Sequence, residues 1–84
     1  MKIVINRPFG AFRLPDGFCR VHGIEFPYDD DWRYDQELID WVETHNDSKL
    51  SVVSIPNEAT DHCIEEYDGS EEVIYVLDGK LHWA

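Results

Sequence analysis

The run EEVIYVL-DG-KLHWA closes the sequence, and it constrains the fold more than any other stretch. Asp-Gly between two apolar-rich runs is the signature of a two-residue type I′ β-hairpin, because both central residues must adopt positive φ. Pairing Leu77 with Lys80 sets Val76 opposite Leu81 and Ile74 opposite Trp83. These four share one face, which is expected to point into the core. Val73, Tyr75, Leu77, Lys80 and His82 take the other face.

Strand patterns also precede the hairpin. HCIEEY (62–67) runs into a second turn, DGSE, and LSVVSI (50–55) ends at Pro56-Asn57. KIVIN (2–6) is short and β-branched, as expected of a buried strand, and Arg7-Pro8 terminates it. Two helical patterns lie between. One starts at Pro15-Asp16, with Phe18, Val21 and His22 on one face and Gly23 as its stop. The other runs from Gln36 to about His45 behind Asp35 as N-cap, with Asn46 as a left-handed end. Its stripe is Leu38, Ile39, Val42 and Trp41, and Glu37, Asp40 and Glu43 face water. Residues 24–34 read mostly as loop. The expectation is a single α+β domain over residues 1–84. It would have a mainly antiparallel three- to four-stranded sheet, a C-terminal β-hairpin and two helices packed on one face.

The 84 residues carry a net charge of −11, and 43% are apolar, enough for a core. Residues 1–34 balance five basic against five acidic side chains. Residues 35–84 hold thirteen acids against Lys49 and Lys80, so the whole net charge arises there. Such a field repels free nucleic acid and anionic membranes. No stretch approaches a membrane span. Met1-Lys2 leads into a short IVI run and not a long apolar one, so no secretory leader is expected. Two cysteines, Cys19 and Cys63, are too few for a disulfide framework. Both are expected to be reduced thiols in a cytoplasmic protein.

No motif carries an obvious reaction. Cys19 and His22 are three apart and could share a helix face, whereas His62 and Cys63 alternate across a strand and cannot ligate one ion. DDDWRYD (29–35) alternates acids but has Arg33 and Tyr34 where a calcium loop needs an oxygen ligand and a glycine. Phosphate-binding glycine motifs and a nucleophile elbow are absent from the sequence. Arg7, Phe9, Phe12, Arg13, Phe18 and Arg20 interleave arginine with aromatics, a pattern that can stack bases. The acidic field opposes that use, and Phe9, Phe12 and Phe18 read as core. The expectation is therefore no enzyme, no cofactor and no metal site.

The densest charge lies in IEEYDGSEEV (64–73), with Glu65, Glu66, Asp68, Glu71 and Glu72 and no Lys or Arg among them. One reading is a solvated turn that keeps a sheet soluble. The other is a partner site whose carboxylates imitate nucleic-acid phosphates, with Tyr67 and Tyr75 as apolar anchors and Glu37, Asp40 and Glu43 extending the surface.

Four stretches bear on this choice. MKIVINRPFGAF opens the chain, Asp35–Trp41 and VVSIPNE (52–58) lie in its middle, and CIEEYDGSEE comes after them. Together they resemble a family of small acidic phage and prophage proteins. Those proteins open KIVIN-x-x-x-G-x-F and carry a later IEEYDG motif. Gly10-Ala11 departs from the glycine pair usual there. The resemblance covers about half the chain. It implies a phage or prophage setting in a bacterial cytoplasm and no particular activity. Phage accessory proteins that block host nucleases and defence factors often use acidic mimicry. The expected function is thus an accessory protein that binds a host protein with a basic surface. The alternatives are a self-assembling module, in which the C-terminal strand pairs with a second copy as a homodimer, and a small metal-dependent enzyme around Cys19 and His22.

Overall fold

The computed structural model describes residues 1–45 and 49–84, so the end expected at Asn46 lies outside the described residues. In chain order the elements are β1 (Lys2–Asn6), α1 (Asp16–His22), a 3-10 helix (Asp30–Tyr34), α2 (Gln36–Thr44), β2 (Leu50–Ser54), β3 (Asp61–Tyr67), β4 (Ser70–Leu77) and β5 (Lys80–Trp83). The fold is α+β and every strand pairing is antiparallel. The strands divide into two sheets, β1-β2 and the meander β3-β4-β5, where the sequence pattern leads one to expect a single sheet.

The pattern of β1 explains the division. Ile3, Val4 and Ile5 are all fully buried, as in a strand covered on both faces. Val4 joins Phe12, Leu14, Phe18, Leu38, Ile39 and Leu50 in the cluster beneath the helices. Ile3 and Ile5 point the other way and pack with Val53, Ile55 and Val73. The order of layers is helices, two-stranded sheet, meander. One continuous sheet would leave one side of β1 open to water.

Local signals hold at most element ends. Asp35 caps α2 by accepting from the Glu37 N–H at 2.8 Å. Gly23 ends α1 at φ 66°, its N–H aimed at the Cys19 carbonyl. In α1 Phe18 is buried and the His22 ring lies 4.2 Å from it, but Val21 is 68% exposed. Seven residues make barely two turns, too few to bury a wide stripe. The 3-10 helix forms where loop was expected, started by Asp29, whose carboxylate accepts from the Asp31 N–H.

The hairpin has the expected register, Leu77↔Lys80 through Ile74↔Trp83. Asp78 and Gly79 take φ 53° and 74°, the I′ combination. Its expected core face is reversed. Val73 is fully buried against β1 and β2, and half-buried Tyr75 packs beside it. Leu81 and Trp83 are each 61% exposed; Ile74 alone of the four is buried, at 7%, though it belongs to neither core cluster. Both faces of β4 are apolar enough to serve, so alternation alone could not choose between them.

The acidic turn between β3 and β4 is docked on the N-terminal loop. The Gly10 N–H donates to the Asp68 carbonyl at 2.9 Å, and the Ser70 hydroxyl donates to the Arg7 carbonyl. The Asn6 amide nitrogen lies 2.7–2.9 Å from the carbonyls of Pro8, Gly10 and Gly69. Gly69, at φ 83°, approaches so closely that a β-carbon there would stand 1.7 Å from the Gly10 carbonyl oxygen. Gly69→Ala is therefore expected to lower stability by at least about 2 kcal/mol in urea titration, because backbone must move on both sides of the contact.

Candidate functional site

Register separates the clustered acids. Glu65 pairs with Glu72, and Glu66 pairs with Glu71. Alternation then puts Glu65, Tyr67 and Glu72 on the outer face of the meander, and Glu66, Glu71 and Tyr75 on the face toward β1. Asp68 sits in the turn at φ 50°. Carboxylates directly opposed across strands repel each other, so each pair costs stability unless a cation relieves it.

The inner pair is relieved. Arg33 places Nη1 and Nη2 each 3.0 Å from the two Glu71 oxygens, and both side chains are over nine-tenths buried. Nη1 also donates to the Val4 carbonyl at 3.0 Å, and the Asn6 N–H donates to Glu71 at 2.8 Å. The guanidinium carbon stands 4.4 Å from the centre of the Phe12 ring. Glu71 is thus an interior residue and unavailable to a partner, contrary to its expected place on the binding surface. Nothing near Arg33 in sequence announces this, since the two residues lie 38 apart. The one local sign is Arg33 within a run of acids and aromatics.

The outer pair is not relieved. Among the described residues, neither Glu65 nor Glu72 has a hydrogen bond or an ion pair from its side chain, and both are exposed. With Phe9, Glu66, Tyr67 and Ser70 they border a shallow hollow of about 340 Å³. Tyr67 is 75% exposed and stands beside them. Phe9 is exposed rather than core. Glu66 is exposed but spends one oxygen on the Gly69 N–H, steadying the turn. Tyr75 does not join this group. It stacks on His82 with centroids 5.2 Å apart, on the inner face.

The helix acids do not extend the surface either. They ride on α2, across the two-stranded sheet from the meander, and each has a partner. Glu43 meets Lys2 at 2.9 Å, Glu37 meets the His22 ring at 3.2 Å, and Asp40 accepts from the Gln36 amide at 2.8 Å.

The other sequence candidates are dispersed. His22 is engaged by Phe18 and Glu37, and half-buried Cys19 packs against the cluster beneath the helices. Burial pushes the Cys19 thiol up from its ordinary range, partly offset by Arg13, so it is a poor thiolate. Cys63 is exposed on the outer face opposite Ile74, while His62 turns inward and meets the Tyr34 hydroxyl at 3.1 Å. Asp29, Asp30 and Asp31 bring carboxylates together at the surface. Asp29 serves there as a cap, and Asp30 lies 3.7 Å from Arg33. At the start of α1 the Arg13 hydrogen bond holds the Asp16 carboxyl below its usual range and raises Arg13. Both lie at the surface, so water screens the pair.

Searches against protein-family models, curated proteins and solved structures found no match for the chain. Among the described residues no helix is long and apolar enough to cross a membrane.

The two glutamate pairs predict opposite responses. Arg33→Met or Glu71→Gln strands a buried partner and should cost about 3–5 kcal/mol. Glu72→Lys puts a cation opposite Glu65 and should stabilise by about 0.2–1 kcal/mol. Urea midpoints of the three variants check both signs.

Proposed function

We propose that the protein is a phage- or prophage-type accessory protein of the bacterial cytoplasm that works by binding. Its target is a basic, nucleic-acid-binding host protein such as a nuclease or defence factor, which it inhibits by offering carboxylates in place of phosphates. The observation that carries this reading is the Glu65–Glu72 pair, two exposed carboxylates held opposite one another with no cation from their own chain among the described residues. A fold stable for its own sake gains nothing from that repulsion. Local conflicts of this kind are expected where function imposes them. A Lys or Arg from a partner would relieve it. The net charge of −11 would speed the encounter with a basic groove. Glu65, Glu66, Tyr67, Asp68 and Glu72 form the contact set, and Glu71 supports it from within.

The test uses immobilised protein and host lysate at ~0.1 M and ~0.5 M salt, where screening differs strongly. The expected result is a nucleic-acid-binding protein held at low salt, released at high salt, and displaced by its own nucleic acid. The double variant Glu65→Lys with Glu72→Lys should not retain it, while melting as the parent does. Retention that survives the double variant, or no specific partner at either salt, would overturn the reading.

A further inference from the structure

The outer face of the meander carries more than charge. Register places Cys63, Ile74, Val76, Leu81 and Trp83 together on it, as one apolar strip across three strands. Leu81 and Trp83 are each 61% exposed and Cys63 is exposed as well, whereas Ile74 between them is buried and Val76 half-buried. A face of this kind is a recognised mark of an interaction surface, and tryptophan is the residue type most enriched among binding anchors. The remaining described positions of the face are polar. Asp61, Glu65 and Glu72 are acidic, and none is Lys or Arg.

We infer that this outer face is a docking surface for an amphipathic basic segment of another protein. Such a segment has one apolar stripe, which would lie over Leu81 and Trp83, with Lys or Arg on its flanks facing Asp61, Glu65 and Glu72. Charge complementarity selects this occupant. A second copy of the chain would lay carboxylates against carboxylates and bring no cation from the same face. The inference rests on the charge-based reading for its rim, but its centre is independent of it. It moves the apolar anchor from Tyr75, which is turned inward, to Leu81 and Trp83. Both project from exposed positions outside the two core clusters, so they can be changed without opening either.

The test titrates the full chain with two labelled synthetic peptides of identical Leu/Lys composition. One is ordered so that its leucines form a single helical stripe, and the other is scrambled. Binding is read by anisotropy and by tryptophan fluorescence. The ordered peptide should bind at least about tenfold more tightly. The double variant Leu81→Ser with Trp83→Ser should erase that preference, keep the weaker binding common to both peptides, and retain the parent's melting temperature. Equal binding of the two peptides by the parent chain would overturn the apolar anchor and leave the charge reading standing. Failure to bind either would overturn both. A concentration-dependent dimer in sedimentation, lost in the Leu81→Ser, Trp83→Ser variant, would make a second copy the occupant and overturn the inference.

Discussion

The buried pair of Arg33 and Glu71 is the interaction on which the rest of the molecule depends. β1 hydrogen-bonds to β2 along one edge only. On its other edge the Val4 carbonyl and the Asn6 N–H would be stranded inside the protein. Arg33 donates to the first, and Glu71 accepts from the second. Two side chains thus stand in for a neighbouring strand. The same contact ties the 3-10 helix, β1 and β4 together, and among the described residues no buried side-chain polar atom is left without a partner. A pair of this kind contributes little beyond what an apolar replacement would give, but losing either half strands the other. Its consequence is architectural. It holds the meander against the two-stranded sheet on the face that carries Val73.

That choice of face gives the acidic turn its character. Of four glutamates facing each other across β3 and β4, two look inward and two outward. The inner two are reconciled with the fold by Arg33 and by the Gly69 N–H. The outer two are left opposed, next to Tyr67 and close to an apolar strip that ends in Trp83. Charge and apolar surface therefore meet on one exposed sheet face. The helix acids lie on another layer, each engaged by a residue nearby. Part of the acidity is thus spent in ion pairs such as Glu43 with Lys2, whereas Glu65 and Glu72 face each other with no cation from the described residues.

Local chemistry was legible residue by residue. Asp-Gly imposes positive φ at two consecutive positions, so the last turn and the Leu77↔Lys80 register are encoded within a few residues. Asp35 can only cap the residues after it, and Gly23 can only stop the helix before it. The antiparallel α+β class comes from the order of these elements. The illegible part lies in pairs distant along the chain. The sequence around Arg33 looks like a solvated acidic loop, and Glu71 looks like one of five equivalent carboxylates. Their partnership exists only when residues 38 apart are brought together.

The sequence by itself determined where the hairpins turn, where the two α-helices start and that its second part is acidic, because capping, turn geometry and charge are properties of a few adjacent residues. Tertiary structure alone decided which face of β4 is buried. Val73 with Tyr75 and Ile74 with Val76 are comparably apolar, and a period of two cannot rank them. The decision came from Glu71. It shares a face with Val73, and its carboxylate reaches Arg33 and the Asn6 N–H only if that face turns inward. The interior position of Glu71 and the exposure of Trp83 are two results of that one rotation.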